Sequence, residues 1–300
     1  MPPARATERA ARRKTVSLAA LASMLLLATL ATSACFIVRP PPVAQPETPI
    51  AGFDAGKYQV QKLIAALAER EKRLDSMQTP AVMEYTAGDQ HLKAKEEIVV
   101  KRPANLRVEA MAPFGVALLL AAQGSELAIF EPGRNRFMRG QATADTLYRY
   151  VRIPMAPADA VGLLMGLAPP EFALNGIADS VSSDGAMIVA SYGNNNTASG
   201  TRELGFLGGN LAMVRVTAGN AGGRVNYEVR YSDYHDIGGV MFPYVVDATF
   251  PAAGSHVTFR YLRPIVNGAI PDSTFVLTPA PGATLMNLSL DDARAFANES

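Results

Sequence analysis

The chain of 300 residues has one cysteine and no tryptophan. A single cysteine excludes an internal disulfide, and by itself it cannot build a structural zinc site. The three histidines (His91, His235 and His256) lie far apart without ligand spacing. His256 falls on the polar face of an alternating stretch and His235 in a Tyr-His-Asp turn, so both read as surface or hydrogen-bonding groups. An excess of one charge is also missing, since 28 basic and 27 acidic side chains leave a formal net charge of +1. Such a balance makes no electrostatic case for nucleic acid. No internal apolar run is long enough for a multi-span membrane protein. There is no G-x-S-x-G elbow, no P-loop, no H-E-x-x-H and no dinucleotide fingerprint. Asp233 and Asp236 of YSDYHD read as turn chemistry, and GNAGGR (219–224) as a flexible hairpin loop. The sequence therefore predicts a protein that is not an enzyme and needs no cofactor.

What is present begins at the N-terminus. Arg5, Arg9, Arg12, Arg13 and Lys14 form a positive segment, and VSLAALASMLLLATL (16–30) is an apolar stretch short for a spanning helix. ATSAC then ends at Cys35, a pattern that resembles the lipobox of bacterial lipoproteins, with Thr32 where that family usually has leucine. The resemblance implies lipidation of Cys35, which becomes the new N-terminus and a strong acyl anchor. The alternative is an ordinary secretory signal with an incidental cysteine. Phe36, in place of the aspartate that marks inner-membrane retention, implies delivery to the outer membrane, facing the periplasm. RPPPVAQPETP (39–49) predicts an extended spacer. The expected organisation is a signal peptide over 1–34, a lipidated tether over 35–52 and a single domain over 53–300.

The body of the chain is patterned for sheet. Residues 57–76 place Val60, Leu63, Ile64, Leu67 and Leu74 on one stripe, predicting an amphipathic helix of about five turns bounded by Pro80. Beyond Pro80 most of the chain alternates with period two. In RVNYEVRYS, Val225, Tyr227, Val229 and Tyr231 share one face; in HVTFRYL, Val257, Phe259 and Tyr261 do. VALLLAA (116–122) is apolar on both faces and predicts a strand covered on both sides. Two helical stretches interrupt the strands: ATADTLYRYVR, with Thr143 or Asp145 as N-cap, and APADAVGLLMGL, ending at Pro169-Pro170. The predicted fold is mainly β with helices, a strongly curved antiparallel sheet whose apolar face is partly closed by helices. A sheet of that size either fills its interior or leaves a cavity for an apolar ligand.

The order of the pieces narrows the choice. Residues 102–169 run strand, Pro-apolar-Gly turn, apolar strand, hairpin with Pro-Gly, basic strand and two short helices. That succession resembles the LolA/LolB-like family and most of all its LolB-like outer-membrane lipoprotein receptors. YSDYHDIGGVMFPYVVDATF (231–250) and NGAIPDSTFVLTP (267–279) are similar to the closing hairpin and last strand of that family. The chain departs from it in a polar excursion, SDGAMIVASYGNNNTASG (183–200), which reads as a large loop or extra hairpin.

The resemblance implies a carrier that accepts the acyl chains of a lipoprotein from a soluble LolA-like periplasmic partner and passes them to the outer membrane. It implies a monomer that works by differential affinity. The turn Pro113-Phe114-Gly115 would then be a membrane-inserting loop with Phe114 at its tip; the residues alone favour Phe114 folding back to cap the core, and it is the resemblance that reverses this. The expected acyl-chain cavity is lined by Leu118, Leu120, Leu147, Val151, Leu163 and Leu164. The competing expectation is a structural or sensory periplasmic lipoprotein of the same fold, with a protein partner and no lipid cargo.

Overall fold

A computed structural model describes residues 60–113, 115–151, 154–169, 180–184, 187–192, 200–208 and 210–288. All of them fall within Arg39–Ser300, the second of two units into which the chain divides. The signal segment, Cys35 and the proline-rich tether lie outside the described residues.

The N-terminal helix α1 spans Val60–Lys72 and ends before the expected Ser76; residues 57–59 lie outside the described set. It buries Leu63 and Leu67 and tightens at its end, where Arg73 and Leu74 donate to the carbonyls of Arg70 and Glu71. Ser76 already belongs to the first strand, β1 (Ser76–Ala87), and Pro80 sits inside that strand instead of bounding the helix. A strand tolerates proline where no ladder donor is needed. On one side β1 pairs with β14 (Ile265–Val266) at Met77 and Gln78 and with β13 (Ser255–Tyr261) from Ala81 onward. Pro80 falls in the gap between these two partners, and its carbonyl accepts from Leu262 N–H.

Two meanders make the sheet. The first contains β1, β2 (Gln90–Lys101), β3 (Asn105–Ala112), β4 (Gly115–Gln123), β5 (Glu126–Glu131) and β6 (Arg136–Gln141). The second contains β7 (Ser180–Asp184), β8 (Met187–Tyr192), β9 (Arg202–Leu207), β10 (Met213–Gly219), β11 (Val225–Ile237), β12 (Val240–Phe250) and β13. The β1–β13 pairing joins them, and β15 (Thr284–Asn287) adds to β6. The order is β15-β6-β5-β4-β3-β2-β1-β13-β12-β11-β10-β9-β8-β7, so among the described residues the sheet is open, with β15 and β7 at its ends. The expectation of an antiparallel sheet holds throughout except at β15, which runs parallel to β6.

Two expected features are corrected. The segment 267–279 is not the last strand: it is irregular, with one 3-10 turn at Asp272–Phe275 that buries Phe275, and among the described residues the last strand is β15. His235 is not in a turn. It lies on β11, where Asp233 (φ +56°) interrupts the ladder, and the hairpin reverses instead at Gly238-Gly239. Within the polar excursion, Met187–Tyr192 is a paired strand whose Ile188 and Ala190 reach the core; residues 193–199 lie outside the described set.

Helix α2 (Ala144–Val151) begins at Thr143, whose Oγ1 accepts from the Thr146 N–H at 3.2 Å. Helix α3 (Pro157–Leu164) starts with proline at its first position and buries seven of its eight residues. It stops in a Schellman arrangement: Gly166 adopts φ +67°, its N–H bonds Leu163 O, and Leu167 N–H bonds Gly162 O. Buried residues of all three helices join those of the strands in one large apolar cluster. On the opposite face, Ala121, Ala128, Phe137 and Leu277 form a second, small one. The inner half of β4 is therefore covered on both sides, as its unbroken apolar run requires.

Candidate functional site

Between α3 and the strands β11 to β13 lies a pocket with no polar lining. Val229, Ala248 and Val257 form one register row of its floor, and Val246 and Phe259 belong to the next. Ala248 is small between two valines, which hollows the floor at that point. Met155, Ala160, Leu163 and Leu164 make the opposite wall. The pocket holds about 300 Å³ of space free of atoms, its open mouth included, and little of that is wide enough for a water molecule. Small-molecule sites are open cavities of about 300–1,000 Å³, so in this state the pocket is a closed seam that a ligand must widen. In this state the walls nearly touch.

The helical wall is held at its C-terminal end. Tyr261 on β13 donates its phenolic hydrogen to Leu164 O at 2.8 Å. Arg70 of α1 donates through Nε to Gly166 O at 3.0 Å and through Nη1 to Met241 O, and its guanidinium lies 5.9 Å from the centre of the Tyr234 ring. Burial holds the Arg70 pKa below its ordinary value and raises Tyr231 and Tyr261, while Tyr234 is pushed up to about 12. These phenols stay neutral; the hydroxyls of Tyr234 and Tyr261 donate to the carbonyls of Met213 and Leu164.

The sequence-predicted cavity residues divide. Leu163 and Leu164 line the pocket. Leu120 and Leu147 are buried in the same apolar cluster and Leu118 packs against it, but none of the three touches the pocket. The side chain of Val151 lies outside the described residues. Sequence reasoning missed Ala248 and Val246. The alternation in RVNYEVRYS and HVTFRYL had placed Val229, Val257 and Phe259 on the apolar face; only the register shows which other residues stand beside them.

The β3–β4 hairpin ends in an uncharged tip. Residues 110–122 carry no ionisable side chain, and Met111, Ala112, Pro113, Gly115 and Ala117 are exposed. Ala112 pairs with Gly115, so the chain reverses between them; Phe114 itself lies outside the described residues. Gly115 takes φ +127°, a region that side chains disfavour, which accounts for glycine there.

Two of the three histidines are held in hydrogen bonds. His235 Nε2 lies 2.9 Å from Asp233 Oδ1, with its ring against Tyr244, and His256 Nε2 lies 2.9 Å from Asp247.

No protein-family model matches the sequence, and no curated protein matches it. Solved structures do. A LolA superfamily protein from Nitrosomonas europaea superposes with a TM-score of 0.51 at 14% identity, covering 73% of this chain and 98% of that one. A DUF1329 family protein from Desulfovibrio piger gives a TM-score of 0.53 at 13% identity, covering 75% of this chain and 98% of that one. The fold is LolA-like. At such low identity the likeness speaks for the fold alone. The LolA-like sheet of this chain carries the apolar pocket on one face and the uncharged β3–β4 tip at a strand end.

Proposed function

We propose that this protein is a lipid-anchored periplasmic carrier whose apolar pocket binds the acyl chains of lipoproteins and hands them to the outer membrane. The observation that carries this reading is the unbroken apolar lining between α3 and β11–β13, which offers an acyl chain burial and no hydrogen bond. In this reading Cys35 bears the anchor, and the chain acts as a monomer that receives its cargo from a LolA-like soluble partner. Pro113, Phe114 and Gly115 touch the bilayer, an act suited to the uncharged tip, because no ion need be desolvated. Longer chains enter as α3 moves away from the sheet. No nucleotide or other cofactor takes part, since each step runs toward higher affinity.

The narrowness of the pocket supports one rival. A pocket closed by its own walls also suits a structural or sensory lipoprotein that binds a protein partner and no lipid. Native mass spectrometry of the purified protein separates the two. A carrier retains co-purifying acyl species that leave on delipidation and return on exposure to lipoprotein. A protein that never holds acyl chains, whatever the lipid supplied, is not a carrier.

A further inference from the structure

Glu96 stands apart from every other acid of the sheet. It is 8% exposed, and no hydrogen bond or ion pair engages its carboxyl among the described residues. Its place on β2 aims it at the apolar cluster. Opposite residues of paired strands share a face, and Glu96 pairs with Ala81 of β1, a member of that cluster. Ile98 and Val100, two and four residues along on the same face, belong to the cluster too.

The register surrounds this carboxyl with small side chains. One row across the sheet reads Tyr261, Ala81, Glu96, Ala110, Leu118. On its own strand the preceding same-face residue is Ala94, which packs against the apolar cluster. Three alanines thus flank one acid, and none can reach over it or donate a hydrogen bond. The row begins at Tyr261, the residue that grips α3, and the row beside it runs Phe259, Met83, Ala94, starting from a wall of the pocket. Strands β13 and β2 are two spacings apart, roughly 10 Å. Helix α3, which supplies the opposite wall, also packs against β2 and β3.

We propose that Glu96 is a ligand-binding residue that accepts a hydrogen bond from an N–H at the polar end of the acyl cargo, so that the site prefers amide-linked chains over ester-linked ones. A buried carboxyl without a donor is costly, and a ligand that supplies one relieves that cost. Burial also raises the Glu96 pKa to about 7, the behaviour of an acid without a cation beside it. Above that pKa the group is a carboxylate, and an ester, which offers only acceptors, leaves it unpaired. This inference rests on the acyl-chain reading above and names which chemistry of the cargo is read.

The test uses two probes of equal chain length, N-methyldodecanamide and methyl dodecanoate, titrated calorimetrically at about pH 8.5, where Glu96 is ionised, into the purified protein and into Glu96→Gln and Glu96→Leu. The wild type should bind the amide about tenfold tighter, the worth of one hydrogen bond to a charged acceptor. Glu96→Leu should lose that preference while binding the ester at least as well as the wild type. Glu96→Gln, which keeps an acceptor oxygen, should retain part of it. Equal binding of both probes by the wild type, or an undiminished preference in Glu96→Leu, overturns the role of Glu96 and leaves the carrier standing. Binding of neither probe by any of the three proteins overturns the carrier and this inference together.

Discussion

Tyr261 on β13 donates a hydrogen bond of 2.8 Å to the carbonyl of Leu164, 97 residues earlier at the end of α3. Both groups are buried, and the phenol is the sheet's polar attachment to the helix that walls the pocket. Tyr261→Phe keeps the ring and leaves the Leu164 carbonyl with one partner fewer. The expected loss is about 1 kcal/mol of unfolding free energy, seen in urea denaturation. Acyl uptake should quicken, because α3 is held less firmly. A variant with unchanged stability and uptake would mean that the bond does not hold the wall.

Gly166 ends α3 at φ +67°, and a Cβ there would stand 3.0 Å from Arg70 Nη2 and 3.0 Å from Pro243 Cγ. Gly166→Ala combines backbone strain with crowding against a proline ring that cannot move aside. A cost of about 1–3 kcal/mol is expected, measured as a lowered denaturation midpoint.

Stability should depend on pH through Glu96. Its pKa is about 7 in the folded chain against an ordinary 4.5, so between these values the folded state binds more protons than the unfolded one. The group's contribution is therefore most favourable below pH 4.5 and declines as pH rises toward and past 7. Its same-face neighbours Ala81, Ala94, Ile98 and Ala110 carry no charge, and the only titratable residue of α3 is Asp159. The interval is worth about 3 kcal/mol at most. Denaturation at pH 5 and pH 8 should show the wild type losing stability between the two, and Glu96→Gln losing less by up to that amount. Identical slopes for both proteins would remove Glu96 as the cause.

Ala248 is the low point of the pocket floor, between Val229 and Val257. Ala248→Leu adds volume where the walls already nearly touch, so a cost of about 1–3 kcal/mol is expected in a protein that still folds. Bound acyl species should fall several-fold in native mass spectra. Full occupancy in this variant would place the cargo elsewhere on the sheet.

Phe114→Glu puts a charge at the end of the uncharged β3–β4 tip, beside the exposed Pro113 and Gly115. If Phe114 projects outward as the proposed function requires, stability should change by no more than about 0.5 kcal/mol, measured by urea denaturation. In a transfer assay from the protein to outer-membrane vesicles, cargo should load normally and remain on the carrier. Transfer at the wild-type rate would take Phe114 out of the mechanism.

Period-two alternation made the strands legible because each has one face toward the core and one toward water. Thr143 and the Pro-Phe-Gly reversal were readable for a similar reason: capping and tight turns depend on neighbours in sequence. Pro80 and His235 were misplaced for the opposite reason. Pro80 is tolerated in β1 only because two different strands meet beside it, and His235 sits on a strand because Asp233 absorbs an irregularity in the ladder. Neither circumstance leaves a mark within a few residues.

The amino-acid order by itself determined a mainly β domain, two short helices between its meanders, and the apolar face to which Val229, Val257 and Phe259 belong. Only the tertiary structure decided that Ala248 would hollow the floor between two of them, that Tyr261 would grip Leu164, and that three alanines would surround Glu96. The reason is physical: side-chain alternation is written along one strand, whereas a pocket and an isolated acid are properties of register between strands distant in the chain.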